Sequence, residues 1–411
     1  MISIKRVAVI GGGAAGMMAA GTALMYGASV TVYEHKDKPL RKLRITGKGR
    51  CNVTNNCTTE EFIANVIHNP RFMYAPLSHL SPEDTIAFFE NLGVPLKTER
   101  GRRVFPVSDK ASDIAEALLR YTEGVTLRHE HVRSLWIENG VLLGVDAKTK
   151  ERYDAVILAS GGKSYPLTGS DGSGYTIAMR AGHTVTKLSP SLVPITSKSP
   201  FCARMQGLSL KNVALRIVKG EEKRVLYEDF GEMMFTHFGL TGPMILSASA
   251  HLQGEDISKL TAEIDLKPAL DEKTLDARLL SDFSKFANRN FENALSSLLP
   301  AKMIPVMVDY VGIPADKKVN TVSREERRRL LSALKSFPVP LEGFRPIDEA
   351  IITAGGVSTA EIEAKTMMSR KIKGLFLAGE VIDLDAYTGG YNLQIAFSTG
   401  YLAGKSAAEL E

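Results

Sequence analysis

A buried strand that runs straight into a glycine turn sets how this chain must begin. Residues Ile4 to Ile10 read as a fully buried parallel strand, and Gly11, Gly12, Gly13, Ala14, Ala15 and Gly16 follow at once. The spacing is GxGxxG, and it predicts a small-residue helix from Ala15 to about Tyr26, ending at Gly27. Gly11 makes the tight turn, Gly13 lets a pyrophosphate approach the backbone, and Gly16 lets helix and strand pack closely. The helix N-terminus offers free amides and a positive dipole end to the phosphates. A second strand, Ala28 to Tyr33, is closed by Glu34, about 20 residues beyond the glycines. A carboxylate there accepts hydrogen bonds from the adenosine ribose and disfavours a 2′-phosphate. By this motif alone the dinucleotide is FAD or NAD.

Three later features favour FAD. Tyr153 to Gly162 is an apolar strand that breaks into Ala159, Ser160 and Gly161, as in flavoproteins whose backbone crosses near the cofactor there. Near the C-terminus, Gly374 to Glu380 with Asp383 precedes Gly389-Gly-Tyr-Asn-Leu-Gln394, which opens a final helix. The strand's acidic end is expected by the ribityl and pyrophosphate groups. The helix, beginning near Asn392, is expected to point its amides at the flavin O2 side and stabilise the anionic reduced form. Finally, these closing residues lie more than 300 positions from the glycine turn, whereas an NAD domain would be contiguous.

A chain of 411 residues exceeds the usual single core, so two or three domains are expected. With 44% hydrophobic and 24% charged residues it is ordinary globular material, and its net charge of +5 suits an anionic ligand or partner. Cys51, Cys57 and Cys202 lack CxxC spacing, which points to a reducing cytoplasm. The Val7–Ile10 run is too short for a signal-peptide core, and no apolar stretch is long enough to span a bilayer. Eight histidines are scattered without HExxH or a close Cys/His cluster, so no metal site is expected. No second GxGxxG provides a separate NADPH domain. Electrons are then expected from a transient donor, or from NAD(P)H at the substrate face.

Several segments are far more specific than GxGxxG. They are Arg44-Ile-Thr-Gly-Lys-Gly-Arg-Cys-Asn-Val-Thr-Asn55, Arg100-Gly-Arg-Arg-Val-Phe-Pro106, Gly161-Gly-Lys-Ser-Tyr-Pro166 and Phe235-Thr-His-Phe-Gly-Leu-Thr-Gly-Pro243, with Gly379-Glu380 and the Gly389–Gln394 run. Over essentially its whole length the chain resembles the YhiN/BaiN-type bacterial flavoproteins, also labelled aminoacetone-oxidase-like or NAD(P)/FAD-dependent oxidoreductases. Lys48 stands where some relatives look to have glycine. The resemblance implies an α/β fold: a Rossmann-type FAD-binding domain split between residues 1–190 and 341–411. Inserted in it would be a β-rich, barrel-like substrate domain at 191–268 and a small helical domain at 269–340. The residues agree, since Asn212 to Val218 alternate like a strand, while Leu275, Leu279, Leu280, Phe283 and Phe286 recur on one helical side. Pro338 and Pro340 mark the return.

By family position, Arg41 to Arg50 should wrap the pyrophosphate and isoalloxazine with amides and basic groups; the bland alternative is a solvated basic loop. The contacts so implied involve Lys42, Arg44, Thr46, Gly47, Gly49, Arg50, Cys51 and Asn52. Ala14 and Ala15 join the glycine turn, His35 and Lys36 follow Glu34, and Val132 lies before the next strand. Gly379, Glu380, Asp383, Gly390, Tyr391, Asn392, Leu393 and Gln394 complete the set. Cys51 either protonates a carbon centre beside the flavin or packs as a small buried residue. His237 is the rival acid or a turn cap, and Tyr165 either donates near the flavin or is structural.

The expected reaction is NAD(P)H-driven reduction of a C=C bond conjugated to a carbonyl. The acceptor would be a uridine base in ribosomal RNA, giving dihydrouridine, or an unsaturated steroid or bile acid. Lys97, Arg100, Arg102 and Arg103 would serve a nicotinamide phosphate, an RNA backbone or solubility. Alternatives are an oxygen-using amine or aminoketone oxidase and a non-enzymatic FAD-binding module.

Overall fold

The computed structural model describes residues 4–411, which form two compact units. The first joins residues up to Ser191 with Ile347–Glu411, and the second is Leu192–Pro346.

In the first unit, strand β1 (Arg6–Ile10) lies at the centre of a five-stranded parallel sheet. On one side it pairs with Ala155–Leu158 and then Leu375–Leu377; on the other it pairs with β2 (Ser29–Tyr33) and then Thr126–Arg128. Val7, Ala8 and Val9 are fully buried, which is why this strand carries no polar alternation. Helix α1 runs Ala14–Met25, one residue earlier at each end than the sequence implied.

Nearly the whole of α1 is buried, and the final helix, Tyr391–Ala408, covers it. Both surfaces are stripes of glycine and alanine. A Cβ on Gly400 would stand 2.4 Å from the Ala15 carbonyl oxygen, and one on Gly404 would stand 2.3 Å from that of Ala19. The two helices therefore meet backbone to backbone, which lets first and last segments of the chain build one site.

The second unit carries a seven-stranded antiparallel sheet. Its longest pair is Ser209–Lys219 with Arg224–Thr236. The alternation expected at Asn212 to Val218 is real through its middle, but the register shifts where Asn212 turns to φ 55° and again between Ile217 and Val218. The two edge strands, Phe337–Pro340 and Gly343–Phe344, are successive pieces of chain, so the sheet curls until its edges are joined by one short segment. Helices of this unit share the sheet's core. On Glu272–Lys285, Leu275, Leu279 and Phe283 are buried at i, i+4 and i+8. Leu280 was expected on that side, but it is five positions from Leu275 and lies exposed; Phe286 packs only partly against the core.

Among the described residues, no helix is long and apolar enough to cross a membrane. Replacing Gly404 with Val should force the two helices apart and cost about 1–3 kcal/mol or more. A urea midpoint lowered accordingly is expected. An unchanged midpoint would show that the backbone contact is not tight.

Candidate functional site

Gly11 adopts φ 107°, and a Cβ there would lie 2.5 Å from the Ala159 carbonyl oxygen. A Cβ on Gly16 would stand 1.9 Å from the Gly11 oxygen, so that glycine lets α1 close onto the turn. Gly13 behaves differently. Nothing lies within 4 Å of where its Cβ would be, and its backbone is extended at φ −79° and ψ −172°. It is therefore glycine neither for strain nor for protein packing; it borders open space at the N-terminus of a twelve-residue helix with no side-chain cap. That is the space and the donor set a pyrophosphate needs.

Glu34 is nearly buried. Its Oε2 accepts from the Gly12 amide at 2.9 Å and its Oε1 from the Lys36 amide at 2.8 Å. The carboxylate so fastens the glycine turn to the end of β2, and each oxygen keeps a lone pair for a ribose hydroxyl. His35 lies edge-on to His131, while Lys36 offers its carbonyl to His129. Val132 is buried nearby in sequence. Ala14, Ala15 and Ala159 keep the turn's surroundings small.

Three buried polar atoms without hydrogen-bond partners, His35 Nε2, Asn52 Oδ1 and Ser160 Oγ, occur in segments the sequence assigned to the cofactor. A buried polar atom left unpaired is costly and is normally met by some partner. With the open face at Gly13, these orphans fit a bound FAD.

The basic segment requires a correction. Arg41 pairs with Asp37, Arg44 with Glu116, and Arg50 with both Glu99 and Asp109 while its guanidinium lies 4.2 Å from the Phe105 ring centroid. Lys42 Nζ reaches Glu380 at 2.7 Å and Ser164 Oγ at 2.7 Å. These charges are met by the protein's own carboxylates. Gly47, Lys48, Gly49 and Cys51 all take positive φ, and within this winding path the Arg50 amide donates to the Gly47 carbonyl and the Cys51 amide to that of Thr46. Lys48 sits at φ 59°, in the region where glycine is unstrained. Thr46 Oγ1 donates to the Leu43 carbonyl and holds the entry to this path.

Cys51 is also corrected. Its side chain has no exposed surface, and burial pushes the thiol up to about 12, against a bond from Thr46. With no face toward ligand it packs; it is not the acid. His237 is exposed at a hairpin tip of the second unit, edge-on to Phe238. Tyr165, in the first unit, is part-exposed at φ 52°, with its amide donating to the Asp348 carbonyl.

At the C-terminal end, Glu380 was expected by the ribityl chain. Its oxygens are instead occupied by Lys42, by Ser164 Oγ at 3.0 Å and by the Thr353 amide at 2.9 Å. Gln394 is fully buried and bonded to Thr54, Leu80, Thr85 and Ser398, so its side chain belongs to the core. Asn392 clamps both the amide and the carbonyl of Ala386. The contribution of Gly390, Tyr391 and Leu393 is the start of an eighteen-residue helix, whose first amides are free. Gly379, at φ 74°, donates its amide to Thr399, and the Asp383 amide donates to Val357.

One group was missed. Asp385, fully buried, holds the His68 imidazole through Nδ1 and accepts from Ser191 Oγ at 2.7 Å. No local pattern around His68 announces it, because its partner lies 317 positions away. Among the described residues no group of three or more His, Cys, Asp or Glu is arranged to hold a metal.

Gly13→Val should keep the wild-type urea midpoint, since its side chain meets only open space, yet lose FAD on purification. Loss of fold, or retention of flavin, would refute the cradle. Cys51 should resist thiol reagents in the native protein and react only after denaturation; rapid native labelling would show that it has a free face.

The family model for the HI0933-like protein Rossmann domain matches residues 5–406. The 3-dehydro-bile acid delta(4,6)-reductase of Clostridium scindens is 32% identical, over 99% of this chain and 100% of its own. The ribosomal RNA dihydrouridine synthase of Escherichia coli is 31% identical, over 96% of this chain and 95% of its own. In fold, the chain resembles 3-ketosteroid-delta4-(5alpha)-dehydrogenase from Rhodococcus jostii RHA1, with TM-score 0.54 and 16% identity over 99% of this chain and 98% of that one. With the family model matched over nearly the whole chain and two relatives similar along almost their full length, the chain belongs to the HI0933-like Rossmann family of YhiN/BaiN-type flavoproteins as an FAD-dependent oxidoreductase.

Proposed function

We propose that the protein takes reducing equivalents from NAD(P)H and saturates a carbon–carbon double bond conjugated to a carbonyl. The observation that carries this reading is the shared chemistry of its full-length relatives. One is named as a bile-acid delta(4,6)-reductase and the other as a ribosomal RNA dihydrouridine synthase. A steroid enone and a uracil ring look unlike, but each presents a C=C bond polarised by a carbonyl. The acceptor is accordingly an unsaturated steroid acid or a uridine of ribosomal RNA.

Bound FAD supplies the two-electron chemistry. The chain's part is to hold it: the α1 amides and Gly13 for the pyrophosphate, Glu34 for the ribose, the Thr46–Asn52 path and the first amides of the final helix for the ring. Positive dipole ends directed at developing negative charge favour reduction. The inserted unit, read as a barrel-like β part with a small helical part, sets the acceptor, with His237 as its candidate contact. With one glycine cradle in the sequence, NAD(P)H docks transiently. Three free cysteines accord with a cytoplasmic setting. Arg100, Arg102 and Arg103 are exposed and suit a phosphate backbone, although Arg102 is already paired with Glu61.

Anaerobic photometry with NADH and NADPH tests the donor. Bleaching of the flavin band, followed by slow reoxidation in air, is expected. Reduction by amines and by neither nucleotide would favour the oxidase instead. Mass spectrometry of ribosomal RNA nucleosides from a strain lacking the gene separates the acceptors: missing dihydrouridine identifies RNA, and an unchanged profile leaves the steroid acid.

A further inference from the structure

We propose that His68, held by Asp385 and Ser191, is the acid of this reaction and delivers its proton from Nε2. The proposal rests on the reductase reading above and names a residue for a step that Cys51 cannot perform.

The loop carrying His68 is fastened to the strap that leads into the final helix. The Ile67 amide donates to the Asp385 carbonyl at 2.8 Å, the Tyr387 amide to the Asn65 carbonyl at 3.0 Å, and Asn69 Nδ2 to the Asp383 carbonyl at 2.7 Å. Val66 and Ala386 form a β-bridge. The strap is fixed at its other end too. Asn392 clamps Ala386, Asn55 Nδ2 donates to the Gly389 carbonyl at 3.0 Å, and the Phe62 and Tyr391 rings meet edge-on at 5.3 Å. His68 is therefore carried on a loop fastened to the strap that leads directly into the Gly389–Gln394 motif, which the sequence assigns to the flavin.

The side chains then divide the work. Both oxygens of the buried Asp385 carboxylate are occupied, one by His68 Nδ1 and one by Ser191 Oγ. A buried carboxylate persists only beside a cation or strong donors, and imidazolium supplies both. Because Nδ1 is committed to Asp385, Nε2 is the nitrogen free to act, and the side chain is 39% exposed. His183 provides the contrast. Its Nδ1 meets Glu361 and its Nε2 meets Ser369, and its side chain is buried, so nothing is left for chemistry.

The charged groups facing His68 are Asp385 and Asp383, both on the strap. The bond to Asp385 raises the imidazole's proton affinity, and the two negative charges add to it, outweighing partial burial. Burial also pushes the Asp383 carboxyl upward. The acid is thus charged at a pH where free imidazole is losing its proton. In the step itself the acceptor's C=C π bond breaks. One carbon receives a hydrogen with two electrons from the reduced cofactor. The other forms its C–H bond with the proton from Nε2, leaving neutral His68 and oxidised FAD. The imidazole regains its proton from water, and NAD(P)H restores the reduced cofactor.

His68→Asn tests this, because its amide nitrogen can replace Nδ1 toward Asp385 while the acid is lost. FAD content and reduction by NAD(P)H should stay within about twofold. Reduction of whichever acceptor the wild-type protein turns over, a 3-oxo-4-ene bile acid or unmodified ribosomal RNA, should fall roughly 10²–10⁴-fold. NMR of the apoprotein gives a readout independent of turnover. The His68 ring should titrate above about 6.5, and Asp385→Asn should lower that value and move the alkaline limb of the acceptor-reduction profile downward with it. If His68→Asn fails to fold, the wild-type and Asp385→Asn titrations and profiles still decide. An acceptor rate within a few fold of wild type in a folded His68→Asn, or a ring titrating at or below the free value, overturns the assignment alone. A wild-type protein reduced by NAD(P)H that reduces neither acceptor overturns the reductase reading, and this proposal with it.

Discussion

Helix α1 and the final helix touch through their main chains. Glycine at 400 and 404 lets the carbonyls of Ala15 and Ala19 sit where any side chain would stand. Gly379 packs as closely, since a Cβ there would lie 2.6 Å from that of Ala15, so the start of α1 and the segment before the final helix come together. Dispersion between two such smooth surfaces accumulates over many close atom pairs, and it tolerates no added methyl group. The price of the arrangement is sequence rigidity: α1 has almost no polar residue, and its buried face extends nearly all round.

What the sequence reading captured was local. β1, the glycine turn, α1 and β2 follow one another within thirty residues, and each is specified by its own periodicity and its own sterically required residues. The strand around Asn212 was legible for the same reason, although a bulge is invisible to an alternation count. What escaped was pairing at a distance. Arg50 reads as a base awaiting an anion until Glu99 and Asp109 are seen beside it. Lys42 and Glu380 looked like two separate ligands for the cofactor, yet they bind one another. Cys51 was singled out because it stands alone in a glycine-rich motif, but motif position carries no information about solvent. Only the fold shows that its thiol faces inward.

A charged loop in a family motif therefore has two uses that sequence does not separate. It can meet the ligand with its side chains, or it can use them to brace a backbone that meets the ligand. Here the side chains of Lys42, Arg44 and Arg50 are paired with Glu380, with Glu116, and with Glu99 and Asp109. The brace has electrostatic logic: main-chain amides are fixed partial charges that need no desolvation of a lysine or arginine when an anion arrives.

The inserted unit enters and leaves the flavin-binding unit at neighbouring points. In the first unit Ser191 is the registered partner of Ile352, and in the second Ile195 is the registered partner of Phe344. The stretch between Leu192 and Pro346 therefore forms a loop whose ends meet twice over. For a flexible chain, bringing such distant ends together costs conformational entropy that grows with the logarithm of loop length. Once the second unit has curled its sheet and paired Ile195 with Phe344, that cost is already met, and the flavin-binding unit has only a short gap to close. The two closures are therefore not independent costs: whichever pairing is made, the ends of the other stretch are already held close.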